Sequence, residues 1–123
     1  MRKTTHINLD YIINHADFTL ALCSFLDDFK RSSNKYAMIA SPPTDNGVIQ
    51  ENLCLLAAIS HKLAIDYNIE VPEWVHDATY KMPYPVFSFN TQNKEYQQFL
   101  ITDAPLEFAS KNIFHSSRAI ERV

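Results

Sequence analysis

Apolar positions along the chain fall at helical spacing over much of its length. Phe18, Ala21, Leu22, Phe25 and Phe29 recur at steps of three and four, with Asp27, Asp28, Lys30 and Arg31 crowding the end of the same stretch. That pattern predicts an amphipathic helix over 18–31 with one buried stripe. Asp17 stands where an N-cap belongs, and Ser32-Ser33-Asn34 ends the run. A shorter helix over 8–14 precedes it, with Asn8 as its cap, and Lys35 to Ala40 reads as a helical turn or connector. The strongest element runs from Val48 to Tyr67. Leu53, Leu56, Ser60, Leu63 and Tyr67 form one stripe, while Cys54, Leu55, Ala58 and Ile59 make other sides apolar too. A helix that is apolar nearly all round belongs at the centre of a fold. Asn68 suits the left-handed residue after its end, with Ile69 folding back as the hydrophobic contact.

Prolines mark the breaks between these helical stretches. Ser41-Pro42-Pro43-Thr44-Asp45-Asn46-Gly47 reads as a loop, and Pro72 with Glu73 suits a first helical turn. From Tyr80 to Asn90, Tyr80, Met82, Tyr84, Phe87 and Phe89 alternate with Pro83 and Pro85, which force their predecessors toward extended backbone. This is an aromatic strap expected to lie over the helices, suited either to closing the core or to meeting a partner. A helix over about 92–101 comes next. Asp103-Ala104-Pro105-Leu106-Glu107 then reads as a helix start with an acidic cap, and Ser116 or Ser117 as the cap of a final turn ending at Val123. The expected architecture is all-α: one domain over 1–123, five or six helices around the 48–67 helix, with the 80–90 strap and short C-terminal helices wrapped on it.

Composition narrows the function classes. The chain has 123 residues and one glycine, Gly47, so it contains no glycine-rich phosphate loop, dinucleotide fingerprint or nucleophile elbow. A formal net charge of −3, with bases scattered along the chain, argues against nucleic-acid binding by phosphate neutralisation. Residues 1–50 carry five acids and five bases, residues 51–123 nine acids and six bases; the second part therefore tolerates a basic protein partner. No apolar run reaches the 18 or so residues a membrane span needs, and no apolar stretch comes after Arg2-Lys3 as a secretory signal would require. Cys23 and Cys54 lie in apolar helical patterns and make neither a CxxC pair nor a disulfide framework, which fits a reducing cytoplasmic compartment.

Candidate chemistry is sparse. His61 has Ile65, not a ligand, one helical turn on, and HExxH and HxH are both missing. His76 lies near Glu73 and Asp77, the one loose cluster from which a small metal-dependent or hydrolytic enzyme could be built, with His61 as a further candidate. Asp27, Asp28 and Glu70 could serve as acids or bases, but charged residues on solvated helix faces are the ordinary case. No cofactor or resident metal is expected. Trp74 and the strap aromatics Tyr84 and Phe87 are of the types that dominate interface centres.

The order of pieces resembles a family of small bacterial antitoxin-like proteins. The resemblance runs from about Phe18 to Val123. It rests on Phe25-Leu26-Asp27-Asp28-Phe29, on Tyr36 to Pro43 with its double proline, and on Val71-Pro72-Glu73-Trp74-Val75 after the long helix. A signature close to APxEFxxxNIF completes it, present as Ala104-Pro105-Leu106-Glu107-Phe108-Ala109-Ser110-Lys111-Asn112-Ile113-Phe114. Members are often encoded beside a nucleotidyltransferase-like protein and sometimes sit behind a helix-turn-helix domain, for which the short N-terminus here is expected to leave no room. The resemblance implies a non-catalytic chain that binds and restrains such a toxin-type partner, with Trp74, Tyr84, Phe87, Lys111 and Phe114 as candidate contacts. Family members usually carry one or two arginines just before NIF, where this chain has Ser110-Lys111. The other readings are the small enzyme above and a self-associating structural or regulatory module.

Overall fold

The computed structural model describes residues 8–44, 49–87 and 91–115. It is mostly helical. Helices α1 (Leu9–Asn14), α2 (Phe18–Arg31), α3 (Lys35–Ile39) and α4 (Gln50–Asp66) are succeeded by two 3-10 turns, Glu73–His76 and Ala78–Tyr80. Strand β1 (Val86–Phe87), helices α5 (Lys94–Asp103) and α6 (Leu106–Ala109), and strand β2 (Ile113–Phe114) complete the order.

Local chemistry starts and stops the helices. The Asn8, Asp17, Asn34 and Asn93 side chains accept from the backbone N–H three residues on, capping α1, α2, α3 and α5. Each such cap satisfies a donor the helix leaves unpaired and is worth about 1 kcal/mol. The end of α4 is a full Schellman closure. Asn68 takes φ 56°, its N–H bonds to Ile65 O at 3.2 Å, and the Ile69 N–H reaches Ala64 O at 2.9 Å.

α4 is the hub. Leu53, Cys54, Leu56, Ala57, Ala58, Ile59, Ser60, Leu63 and Ala64 are all buried, and the helix packs against α1, α6 and both 3-10 turns. Phe25 and Phe29 of α2 are fully buried and stacked at 6.0 Å between ring centroids. Burying side chains of this size stabilises by about 1.5–3 kcal/mol each, so these rings dominate the α2 contribution. Tyr67, expected on the buried stripe, is half turned out: its ring meets Phe29 edge-on at 5.2 Å and carries Lys35 Nζ 5.4 Å over its face.

Three expectations are corrected. The fold is mostly helical as expected, but the strap is not merely extended: Val86 and Phe87 pair in parallel with Ile113 and Phe114, so part of it is a strand. Asp103 does not cap α6, because it is the last residue of α5; Pro105 occupies the cap position, and no side chain bonds there. The central helix begins at Gln50, with Ile49 at its cap position. The Asp45-Asn46-Gly47 part of the loop, Phe89 of the strap and the turn after Ser116 lie outside the described residues.

Candidate functional site

The residues of the APLEFASKNIF string first build the fold. α6 ends at Ala109, and Asn112 takes a left-handed φ of 64° that turns the chain into β2. From that turn, Met82 N–H bonds to Lys111 O at 3.0 Å and Val86 N–H to Asn112 O at 2.8 Å, while Asn112 Nδ2 donates to Met82 O at 2.8 Å. Lys111 is 6% exposed and donates from Nζ to the Val75 carbonyl. Burial pushes its ammonium pKa below the usual lysine value, since a charge in a low-dielectric setting is penalised. The turn after α6 therefore clamps Val75 and the strap to the end of the fold.

Trp74 is also turned inward. Its indole Nε1 donates to Ile39 O at 2.8 Å, its ring meets Tyr80 edge-on at 5.3 Å, and it packs against the core. It joins the end of α3 to the first 3-10 turn. Of the five sequence-derived contact candidates, Phe87 and Phe114 come together half-buried, and the exposed Tyr84 lines the same cleft as Phe87. Phe87 and Phe114 stack across the strand pair at 5.4 Å with planes 26° apart, and Tyr84 stands beside them 60% exposed.

A cleft of about 320 Å³ opens at this corner. Tyr84, Pro85 and Phe87 form an aromatic side; Glu51 from the first turn of α4 and Gln97 from α5 form a polar one. Gln97 is oriented by donating Nε2 to Thr91 O at 2.8 Å. Glu51 and Gln97 carry no local signal of this role, because the strap that completes the cleft is brought there by pairing with residues almost thirty positions later.

α5 borders the cleft and is thinly anchored. Leu100 is its one buried residue, and the helix packs against β2. Tyr96 and Phe99 stack on each other at 6.0 Å while 37% and 51% exposed. Ile101 and, just beyond, Leu106 also face solvent, making residues 84–106 rich in uncovered large apolar side chains.

The loose acidic-histidine cluster does not assemble. His61 and His76 meet edge-on at 5.1 Å between rings, but Glu73 is exposed and Asp77 accepts from Thr79 N–H at 2.9 Å, capping the second 3-10 turn. That bond holds the Asp77 carboxyl below the usual range. Desolvation lowers the His61 pKa, opposed by nearby Glu107 and reinforced by His76 and Lys111. Among the described residues no three His, Cys, Asp or Glu side chains converge as metal ligands. Cys54 is buried, its thiol pushed up by desolvation, with Gln50 Nε2 at 3.6 Å from its sulfur. No described helix is long and apolar enough to cross a membrane. Comparison with known proteins yields no matching family model, no matching curated protein and no matching solved structure.

Proposed function

We propose that this chain is a non-catalytic, antitoxin-like protein of the cytoplasm that binds and restrains a partner protein, a nucleotidyltransferase-type toxin in the reading its sequence resemblance favours. The observation that carries the binding reading is the exposed Tyr84 in the corner cleft lined by half-buried Phe87, together with the exposed, stacked Tyr96–Phe99 pair on α5, the helix that borders that cleft. A protein rarely leaves several large rings uncovered in one region without a partner to cover them. Tyr and Phe also supply large contact area at low entropic cost. Trp74 and Lys111 act in this reading as the supports of that corner and not as its contacts, since their polar atoms already bond to Ile39 and Val75. Restraint would be steric, the chain covering the partner's nucleotide or acceptor site over roughly 800 Å² per side for an interface of ordinary size.

Co-expression with the product of the adjacent reading frame, and then size-exclusion chromatography, tests the reading. A single co-eluting peak and relief of growth arrest are expected. Tyr84→Ala with Phe99→Ala should split that peak while leaving the circular dichroism of the free chain unchanged. Two separate peaks with growth still arrested would sink it.

A further inference from the structure

The cleft beside α5 has a chemistry more specific than apolar contact, and its occupant can be named by class once the partner-binding reading is taken as the base. Glu51 is half-buried on the cleft wall and makes no hydrogen bond or ion pair among the described residues. Among the described residues no lysine, arginine or histidine lines the cleft with it. The same cleft is lined by two rings of different freedom: Phe87, fixed by stacking on Phe114, and Tyr84, exposed and set between Pro83 and Pro85. Proline fixes its own φ and restricts its predecessor, so Tyr84 is held with little backbone freedom to lose on binding. Gln97 has its amide nitrogen committed to Thr91, which leaves its amide oxygen as an acceptor.

A carboxylate with no cationic side chain paired to it among the described residues, a carbonyl acceptor and aromatic rings all favour a cation. A planar guanidinium satisfies them together: its N–H fork pairs a carboxylate in bidentate fashion, and its face stacks on a ring. The volume of about 320 Å³ lies at the small end for ligand pockets and has room for one long side chain. The chain's net charge of −3 favours the approach of a basic segment. We infer that this cleft receives an arginine side chain presented by the partner protein, paired with Glu51 and stacked against Tyr84 and Phe87.

The test is a titration of the isotope-labelled full chain, monitored by amide NMR, with Nα-acetyl-arginine methylamide as probe. Nα-acetyl-citrulline methylamide, its uncharged isostere, and Nα-acetyl-lysine methylamide are run in parallel. Saturable shifts at Glu51, Phe87 and Gln97 are expected with the arginine probe and not with citrulline. Loss of the charge in Glu51→Gln should weaken the response about tenfold, as should removal of the ring in Tyr84→Ala, an exposed change that leaves the fold intact. Equal shifts with citrulline, equal binding of lysine, shifts confined to another face, or variants that respond like the parent would overturn it. The two readings fail separately. A partner complex that survives Glu51→Arg removes the arginine assignment and keeps the partner; arginine-specific shifts in a chain that forms no complex do the reverse.

Discussion

Ser60 and Asn112 show the fit between a residue and its surroundings from opposite sides. Ser60 is fully buried on α4, and its Oγ has no hydrogen-bond partner among the described residues. Leaving a hydroxyl unsatisfied in an apolar setting costs about 1–3 kcal/mol. Ser60→Ala removes that penalty, keeps almost the same volume and improves helix propensity. The variant should be more stable by about 1 kcal/mol in urea unfolding, with an unchanged m-value. Asn112 is the converse case, a residue whose awkward backbone is matched by its side chain. At φ 64° a Cβ is unwelcome, yet Asn tolerates this region better than most, and its Nδ2 also bonds Met82 O at 2.8 Å. Asn112→Ala loses both advantages and should cost about 2 kcal/mol, whereas Asn112→Gly loses the side-chain bond but relieves the backbone. Equilibrium unfolding of the pair separates the contributions: equal losses would show that the bond to Met82 and not the backbone dominates. Both effects need burial and contact to be seen. The asparagine before Ile113 reads in sequence as one more polar residue, while Asn68, which has an apolar helix ending just before it, is recognisable as a helix stop.

Elements differ in how much of their stability is their own. α1, α2 and α3 each carry a side-chain cap and at least two buried residues within a few positions of it; α1 and α2, with their caps, are legible in the sequence, whereas α3 reads there only as a helical turn or connector. Caps act over three residues and amphipathic stripes over four, so both are written locally. The strand pair is not local: β1 and β2 are two residues each, too short for an alternating pattern, and their register depends on bonds to Lys111 and Asn112. The cleft inherits that dependence, which is why Tyr84 and Phe87 are readable as interface types from sequence while Glu51 and Gln97 are not. α5 lies between these extremes. It has a cap from Asn93 but only Leu100 buried, so its apolar burial rests on one side chain. Leu100→Ala should cost about 2–5 kcal/mol of local packing, more than a ten-residue helix can supply from propensity alone. Hydrogen exchange is the direct measurement. Amides of α5 should lose protection in Leu100→Ala while those of α4, held by nine buried residues, retain theirs. Uniform loss across both helices would instead make α5 part of the central cooperative unit.

At the scale of the whole molecule, distant segments are joined through one side of α4, and ionisable groups collect there. α4 meets the first 3-10 turn and α6 on this side, bringing His61 of α4 to His76, with Glu107 and Lys111 close enough to influence it. His115, just past β2, lies against Phe108 at 6.2 Å between rings. Desolvation is the largest cause lowering the pKa of both His61 and His115. A base whose pKa is lower folded than unfolded binds more protons in the unfolded chain, so stability rises with pH across the interval between the two values. For these histidines the contribution is complete above about pH 6.5 and declines as the pH falls below it. The Asp77 carboxyl, held down by Thr79, acts in a separate window: its stabilisation is present above the ordinary carboxylate range and is lost only as pH falls further, through its lowered folded value. Melting temperature should therefore be flat from pH 8 to about 6.5 and begin to drop as the pH falls below about 6.5. Asn in place of both histidines, His61→Asn with His115→Asn, should flatten that drop because neither site then takes up a proton. The single His76→Asn change should leave most of it, because desolvation outweighs the His76 charge in lowering His61 and is the cause at His115. A drop that persists in the double variant would place the acid sensitivity outside the core, and one that vanishes with His76→Asn alone would make mutual repulsion, not burial, its cause. Either result bears on the cleft as well, since the β1–β2 pair that holds Phe87 runs directly into His115.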